Sequence, residues 1–255
     1  MDWKSVKEFW DRRAKKYARA FDSDVYEKTL KILNRIESKG VVFTSSRILE
    51  IGSGTGIYTL PLAKRAKEVV AVDCSEEMIK ILNEELKKHE IDNVYSIQAF
   101  WHEIDIEKYR FYKDFDIVFA AMTPAVKTKD DILKMEDCSR DWLIYIGWGR
   151  KRDNDLKKEI FSLHGIEFKV PGGVLMICKI LQELGRKFQY EFFENSWQWR
   201  GSLEEAYEDV SAFLELHGVK PDKNRIIPVL EKYSKDGIVT HTTYAEQGFI
   251  VWQTL

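Results

Sequence analysis

The chain has 255 residues, of which 44% are hydrophobic, and this size suits one large α/β domain or one domain with an elaborated cap. The formal net charge of −2 and the mixing of basic with acidic residues argue against DNA as a partner, because DNA binding requires clustered positive charge. The three cysteines show neither zinc nor disulfide spacing, so we expect no metal site and a reducing, cytoplasmic location. No apolar stretch is long enough to span a bilayer, so we expect a soluble protein without membrane contact.

The first forty residues are predicted to form a helical cap. Apolar side chains recur from Val6 to Tyr17 at the spacing of one helix face, and a second helical stretch follows. The sequence Ser-Lys-Gly at residues 38–40 ends this pattern, because glycine favours helix termination.

Residues 41–148 alternate between short apolar strands and helical stretches. We predict strands over residues 47–51, 68–72, 93–99, 115–121 and 142–147. We predict helices over residues 57–66, 76–89 and 128–138. Strands that alternate with helices indicate a parallel sheet that is covered on both faces.

The alternation breaks after residue 148. We predict helices over residues 153–164, 174–184, 203–216 and 222–234. Strands are predicted over residues 187–194, 238–244 and 248–254, with the last two joined by residues 245–247. The aromatic side chains of this part also suit a homodimer contact, namely Tyr190, Phe192, Trp197 and Trp199.

The most informative motif lies at residues 50–56, where the strand sequence E-I runs into the glycine-rich turn G-S-G-T-G. Glycines tolerate positive φ and let the backbone approach a nucleotide-like ligand closely. The acid Glu50 would repel a pyrophosphate and attract an ammonium group. A dinucleotide site is the weaker alternative, because Ile57 stands where its fingerprint needs a glycine. A glycine turn without any ligand is the remaining alternative.

A second acidic residue supports a ligand at this place. The β-branched run at residues 68–72 ends in Asp73, a little over twenty residues past the start of the glycine motif. A carboxylate at the tip of the second strand can accept hydrogen bonds from both ribose hydroxyls of an adenosine.

These motifs resemble the class I S-adenosylmethionine-dependent methyltransferases. The family pattern is an acid, an apolar residue and Gly-x-Gly-x-Gly, followed downstream by an acid and S-x-x-M, as at residues 73–78. The lead-in W-x-x-x-A-x-x-Y at residues 10–17 also resembles small-molecule members, and the resemblance extends over residues 5–148. It implies a Rossmann-like, doubly wound, mostly parallel seven-stranded sheet with an antiparallel closing strand, an N-terminal helical cap and an insertion after strand five.

The resemblance also implies a domain organisation. The whole chain, residues 1–255, would be a single methyltransferase domain. Within it, residues 1–40 form the cap, residues 41–148 form the cofactor-binding core, and residues 149–255 hold the insertion, the C-terminal helices and the closing strands.

The implied cofactor is S-adenosyl-L-methionine. Glu50 would hold the methionine ammonium or fix the loop, while Asp73 would bind the ribose. A carbonyl near Ala120 would also hold the ammonium, and Cys74 and Met78 would flank the adenine, with core packing as the alternative for Met78. The residues expected at the cofactor are Glu50, Gly52, Ser53, Gly54, Gly56, Asp73, Cys74, Met78, Trp101 and Ala120.

The sequence departs from the family after the third strand. Many relatives have an acid there for the adenine amino group, whereas this chain has F-W-H at residues 100–102. Backbone groups or stacking on an aromatic ring such as Trp101 would replace the acid. His102 is either a base that faces the acceptor or a loop histidine with a local bond.

A small-molecule acceptor is expected. The stretch M-T-P-A at residues 122–125 lacks the polar head and the aromatic side chain that mark methylation of base amino groups. Methyl transfer by in-line displacement needs no fixed catalytic residue, so His102 and Tyr17 are weak catalytic candidates. Other side chains that would line the acceptor pocket are Tyr58, Trp148 and His164.

Two further functions stay open. The first is an RNA or protein methyltransferase, for which a positive patch would be formed by Lys64, Arg65, Lys67, Lys127 and Lys129. The second is a non-catalytic module that binds S-adenosylmethionine as a regulator or partner subunit.

Overall fold

The structure is a computed structural model that describes residues 2–254, apart from the side chain of Ser23. These residues form two compact units. The core unit comprises residues 10–147, 172–191 and 248–254, and the second unit comprises residues 2–9, 148–171 and 192–247. The expectation of a single domain over residues 1–255 stays a prediction.

Nine helices longer than one turn and eight strands occur in the described residues. The helices are α1 (Trp3–Ala14), α2 (Ser23–Glu37), α3 (Thr59–Ala63), α4 (Glu76–Lys88), α5 (Lys129–Cys138), α6 (Asp155–Leu163), α7 (Val174–Glu183), α8 (Leu203–Leu216) and α9 (Lys223–Lys232). The strands are β1 (Arg47–Ile51), β2 (Glu68–Asp73), β3 (Val94–Gln98), β4 (Phe115–Ala121), β5 (Ser139–Asp153), β6 (Phe188–Ser202), β7 (Ser234–Lys235) and β8 (Ile238–Gln253). None of the described helices is long and apolar enough to cross a membrane.

The strands form one sheet in the order β3-β2-β1-β4-β5-β8-β6, and β7 pairs with β8. The pairs β1–β2, β1–β4, β2–β3 and β4–β5 are all parallel. The strand order reverses between β1 and β4, and ligands of open α/β sheets bind beyond the carboxyl ends of strands at such a point. The predicted Rossmann-like, mostly parallel sheet is confirmed.

Strand β8 lies between β5 and β6 in the sheet order and runs antiparallel to β5. Near the start of β5, Asp141 accepts a hydrogen bond on its carbonyl from the backbone N–H of Thr254 at 2.9 Å. Near the end of β5, the backbone N–H of Arg150 donates to the carboxylate of Glu246 at 2.9 Å. Early residues of β5 therefore meet late residues of β8.

The prediction of two final strands separated by a turn at residues 245–247 was wrong. The chain runs through residues 245–247 as one strand. The two polar side chains of this stretch are paired, because Glu246 binds the guanidinium of Arg150 and the Gln247 Oε1 accepts from Asn195 Nδ2 at 2.9 Å. Polar residues with such partners do not interrupt a strand.

Strands β5 and β6 extend well beyond their predicted ends. The predictions stopped at residues 147 and 194, whereas the strands end at Asp153 and Ser202. In the extension of β6, polar residues alternate with Trp197 and Trp199, and this period of two fits a strand. The extension of β5 is rich in charged residues and shows no such alternation. The insertion expected from residue 149 therefore begins as a continuation of β5.

Burial explains why the central strands are apolar. Ile48, Leu49 and Ile51 of β1 are fully buried, as are Val118 and Phe119 of β4. Strands that helices cover on both faces need apolar residues on both sides. The second unit has its own core, in which buried residues of α6, α8 and α9 pack together.

Candidate functional site

The glycine-rich turn after β1 is tied to the end of β2. The backbone N–H groups of Gly52 and Ser53 donate to the carbonyl of Val72 at 2.7 and 3.1 Å, and the Gly56 N–H donates to the Ser53 carbonyl at 3.0 Å. These bonds fix the turn at the carboxyl edge of the sheet, next to the reversal of strand order.

The three glycines of the motif, Gly52, Gly54 and Gly56, have positive φ values of 75°, 55° and 91°. They differ in what a side chain at each position would meet. A Cβ on Gly52 would lie 2.3 Å from Oγ1 of Thr123, so the turn after β4 excludes any side chain there. A Cβ on Gly56 would lie 2.4 Å from Cδ1 of Leu60, at the packing of α3. A Cβ on Gly54 would meet nothing within 4 Å, so this residue faces open space.

Asp73 connects the turn with the start of α4. Its Oδ2 accepts from the Gly54 N–H and its Oδ1 from the Ser75 N–H, each at 2.8 Å. Burial raises the pKa of Asp73, while these two backbone hydrogen bonds oppose the rise. A carboxylate has about four acceptor sites, so Asp73 retains capacity for further donors besides these backbone N–H groups. The carboxylate can therefore hold the turn and accept two hydroxyl groups at once.

Glu50 lies behind the turn and is only 1% exposed. The hydroxyl of Thr59 donates to its Oε2 at 2.5 Å. Burial raises the pKa of Glu50 to about 8, the Thr59 hydrogen bond opposes the rise, and the charge of Asp73 adds to it. Two carboxylates in this region favour a cationic ligand, because a positive charge offsets their mutual repulsion.

A buried hydroxyl beside the turn points to a polar ligand group. Ser53 is 5% exposed, and its Oγ has no hydrogen-bond partner among the described residues. Buried polar atoms in proteins almost always have a partner, so an unpaired one at an open turn indicates a group that binds there. The unpaired Ser53 hydroxyl and the open space at Gly54 together fit a ligand that carries the polar groups of an amino acid.

The N-terminal segment of the core unit also contributes to the site. Asp11 Oδ1 accepts a hydrogen bond from Ser75 Oγ at 2.6 Å, and Thr55 Oγ1 donates to the Ala18 carbonyl at 2.6 Å. Sequence reasoning missed Asp11, Thr55 and Thr59 as parts of the site. Only the acid in the W-x-x-x-A lead-in was a usable signal for Asp11.

The residues expected around the adenine differ in their surroundings. Cys74 is partly exposed, and its carbonyl accepts from Gln98 Nε2 at 3.0 Å. Met78 is 2% exposed and packs with Ala14 and Ile81. The packing alternative for Met78 is thus present in the structure, and an adenine contact stays a prediction for both residues.

Trp101 and His102 lie in a short 3-10 helix after β3. Trp101 is 3% exposed, Lys134 Nζ lies 4.5 Å from its ring centroid, and the indole N–H has no partner among the described residues. His102 Nε2 lies 3.9 Å from a carboxylate oxygen of Glu103. The structure thus gives His102 a local neighbour, and a role of either residue toward cofactor or acceptor stays a prediction.

The turn after β4 is strained at a non-glycine residue. Ala120 is fully buried within β4, and Met122 then has a φ of +51°, which places it in the left-handed region. Its N–H donates to the Ile146 carbonyl at 2.8 Å, and the Thr123 hydroxyl accepts from the Ala125 N–H at 3.2 Å. Strain of this kind concentrates at functional sites, and here it brings Thr123 against Gly52.

Burial raises the pKa of both tyrosines that were considered for the acceptor pocket. The ring centroid of Tyr17 lies 5.8 Å from that of Trp10, and the ring centroid of Tyr58 lies 5.3 Å from that of Phe119. A phenol whose pKa lies above its usual value is a poor base at neutral pH. Both side chains therefore suit positioning better than proton removal.

The remaining two candidates, Trp148 and His164, belong to the second unit. His164 accepts a hydrogen bond on Nε2 from the Asp222 N–H at 3.1 Å, and its Nδ1 lies 2.7 Å from the Ile160 carbonyl. Both ring nitrogens thus connect backbone groups of this unit. Trp148 packs against Trp197 with 5.9 Å between ring centroids. No group of three or more potential metal ligands occurs among residues 2–254.

Comparison with known proteins agrees with this geometry. A family model described as "Methyltransferase domain" matches residues 48–140. A putative methyltransferase from Bacillus halodurans has a TM-score of 0.52 at 15% identity, with 87% of this chain and 98% of that chain covered. A putative sarcosine dimethylglycine methyltransferase from Galdieria sulphuraria has a TM-score of 0.53 at 10% identity, with coverage of 89% and 85%.

Among curated proteins, the chain is 34% identical over 77 residues to a probable ribosomal RNA small subunit methyltransferase A from Methanosphaera stadtmanae. The match covers 30% of this chain and 28% of that relative, so it spans less than a third of either protein. The matched domain starts at β1 and includes the glycine turn, Asp73 and the reversal of strand order. Residues 48–140 are therefore similar to a methyltransferase domain, and the fold of the chain is similar to that of the two solved structures.

Proposed function

We propose that this protein transfers the methyl group of S-adenosylmethionine to a small-molecule acceptor and releases S-adenosylhomocysteine. The observation that carries the proposal is the turn at Gly54, which faces open space and is held by Asp73 while the buried Glu50 lies behind it. S-adenosylmethionine, when bound, supplies an electrophilic methyl group on a sulfonium. The acceptor's lone pair forms the new bond to that carbon, and the electrons of the broken carbon–sulfur bond stay on sulfur.

The residues of the chain bind and orient rather than react. Asp73 would accept the two ribose hydroxyls on its remaining lone pairs, and the Ser53 hydroxyl would bind a polar group of the amino-acid end. Glu50 would stabilise the positive charge of the ligand. Catalysis would then depend on alignment and on the exclusion of water, which together account for large rate effects without a dedicated acid or base.

The turn after β4 supports a small acceptor. Recognition of a base amino group requires an unoccupied polar side chain to bind it and an aromatic ring to stack on the base. In this turn the Thr123 hydroxyl already accepts a hydrogen bond from the Ala125 N–H, and Ala125 has no aromatic ring. Two of the proposed positive-patch residues also have intramolecular contacts. Arg65 pairs with Glu37 at 2.7 Å, and Lys64 Nζ lies 4.3 Å from the Phe21 ring centroid.

RNA is the second candidate acceptor. It is favoured by the similarity over 77 residues to a protein named as a probable ribosomal RNA small subunit methyltransferase A. The match covers only 30% of this chain, so it is weak support for a shared acceptor.

Replacing Asp73 tests the binding site itself. We expect Asp73→Ala to weaken S-adenosylhomocysteine binding by about 2–3 kcal/mol, roughly a 30- to 150-fold loss, because two charge-assisted hydrogen bonds disappear. Titration calorimetry measures the change, and the exposed Asp92→Ala is the matched control that should bind as the parent protein does. Equal affinity of the parent and Asp73→Ala would contradict the assignment.

A further inference from the structure

Strand β6 is the last strand in the sheet order and neighbours only β8 among the described strands. In the second unit it supplies residues 192–202, whose only charged side chains are Glu194 and Arg200. The three consecutive residues 196–198 are exposed, so this stretch presents both of its faces to solvent. A long edge strand that contains neither lysine nor proline is suited to pair with another strand.

The two charges are symmetric about Trp197, with Glu194 three residues before it and Arg200 three residues after it. If two copies of the strand pair antiparallel around a two-fold axis at Trp197, each Glu194 faces an Arg200 of the other copy. No other axis position within residues 192–202 brings the opposite charges together. An axis at Glu194 or at Arg200 would place like charges directly opposite, which is destabilising.

The inner face of the strand is already fixed within its own unit. Asn195 Nδ2 donates to Gln247 Oε1 at 2.9 Å, and the Trp199 ring stacks on His241 with 5.4 Å between centroids. Trp197 contacts Trp148 yet remains 37% exposed, while Glu194 and Arg200 are both exposed. The exposed side chains of Glu194, Trp197 and Arg200 are therefore those that a second copy would meet.

We infer that this protein forms a homodimer by antiparallel pairing of β6 edges around Trp197, with reciprocal Glu194–Arg200 pairs that set the register. Backbone hydrogen bonds and the burial of two facing Trp197 rings supply the affinity. The ion pairs lie at the solvent face, where they contribute little energy but discriminate against shifted registers. A second copy of this chain fits the strand, because an antiparallel copy places its Arg200 opposite Glu194 and its Glu194 opposite Arg200.

Charge reversal tests the register. In sedimentation velocity over a range of concentrations, we expect the parent protein to dimerise and Glu194→Arg or Arg200→Glu alone to raise the dimer dissociation constant by at least about tenfold. The double reversal Glu194→Arg/Arg200→Glu restores the opposite charges and should restore the dimer. Glu231→Arg makes the same charge change on exposed α9 and should leave the dimer unchanged. Circular dichroism establishes that each variant is folded.

A cross-link tests the position of the axis. Trp197→Cys places two thiols directly opposite each other across the axis, so mild oxidation should give a disulfide-linked dimer. Tyr244→Cys, at a residue that is 63% exposed on β8, should remain monomeric on a non-reducing gel. A parent protein that is monomeric at all concentrations overturns the proposal, as does a dimer that neither single reversal weakens.

Discussion

At the residue scale, the buried carboxyl of Glu50 decides how the site responds to pH. The side chain is 1% exposed and has the Thr59 hydroxyl as its hydrogen-bond donor. Its pKa rises to about 8 because burial penalises the charged form. In the absence of a cationic ligand, the folded protein therefore keeps this carboxyl largely protonated at neutral pH.

The raised pKa of Glu50 predicts a loss of stability as the pH rises. Between its ordinary value of 4.5 and about 8, the folded state holds a proton that the unfolded state has released, so the free energy of unfolding falls with increasing pH. Glu50→Gln cannot ionise and keeps an acceptor for Thr59. We expect its stability relative to the parent protein to increase by roughly 2–4 kcal/mol between about pH 5 and about pH 9.

Denaturant unfolding at several pH values measures this difference. The exposed Glu84→Gln is the control, and its unfolding curve should follow that of the parent protein at every pH. Parallel pH dependences for the parent protein and Glu50→Gln would show that Glu50 has an ordinary pKa in the folded state.

The sequence placed Asp73 at the tip of β2, where its carboxylate accepts from the Gly54 N–H, because the carboxyl ends of adjacent parallel strands share one edge of a sheet. Its predicted contact with the ribose stays a prediction. Asp11 was missed because its partner Ser75 lies 64 residues away in the chain. Thr59 is only nine residues from Glu50, but it contacts Glu50 because α3 packs on the sheet. Contacts of this kind depend on how helices pack on the sheet, which no local pattern encodes.

At the element scale, two glycines of the turn have different roles, one in packing and one in leaving room for a ligand, and the sequence alone does not distinguish them. Gly56 is enclosed by the Cδ1 atoms of Leu60 and Leu82, which would lie 2.4 and 2.6 Å from a Cβ at this position, whereas Gly54 faces open space. Packing therefore requires a glycine at residue 56, and the glycine at residue 54 leaves room for a ligand.

Alanine substitutions should separate these roles. We expect Gly56→Ala to lower the free energy of unfolding by about 2–4 kcal/mol, from overpacking plus an unfavourable φ. Gly54→Ala should cost only about 1–2 kcal/mol of stability but weaken S-adenosylhomocysteine binding, because its methyl group occupies the open space. Gly185→Ala is the matched control, with a φ of +68° and no atom within 4 Å.

Chemical unfolding and calorimetry on the same three proteins give both quantities. If Gly54→Ala bound the ligand as tightly as Gly185→Ala does, the open space at Gly54 would not be where the ligand lies.

The elements of the core were predictable, and the long strands were not. Predicted strands 47–51 and 115–121 match β1 and β4 to the residue, because continuous apolar runs mark strands buried on both faces. The prediction failed at residues 245–247, where polar side chains are paired across strands. Pairing between distant strands is a tertiary property, so the local sequence at residues 245–247 did not show that the strand continues.

At the scale of the whole molecule, the near-neutral charge distinguishes the two candidate acceptors. The formal net charge is −2, and the basic residues are interspersed with acidic ones. RNA binding depends on released counterions and weakens steeply with salt. A site for a small molecule has no such requirement.

Methyl transfer from radiolabelled S-adenosylmethionine should therefore appear in a small-molecule extract rather than in total RNA. Binding to RNA should be weak, and the combined Lys64→Ala/Lys67→Ala variant should transfer methyl groups as the parent protein does. Label in RNA, with a rate that falls steeply between about 50 mM and about 200 mM salt and falls further in the lysine variant, would favour the RNA alternative.

Two hydrogen bonds, from the Ser75 hydroxyl to Asp11 and from the Thr55 hydroxyl to the Ala18 carbonyl, limit where this protein can be truncated. A piece that begins at β1 would contain the glycine motif and Asp73 but not residues 10–18. It would leave the first turn of α4 and the glycine loop without these two hydrogen bonds, and the loop's geometry would relax. The binding of a ligand at the loop thus depends on a segment that precedes the glycine motif in the chain.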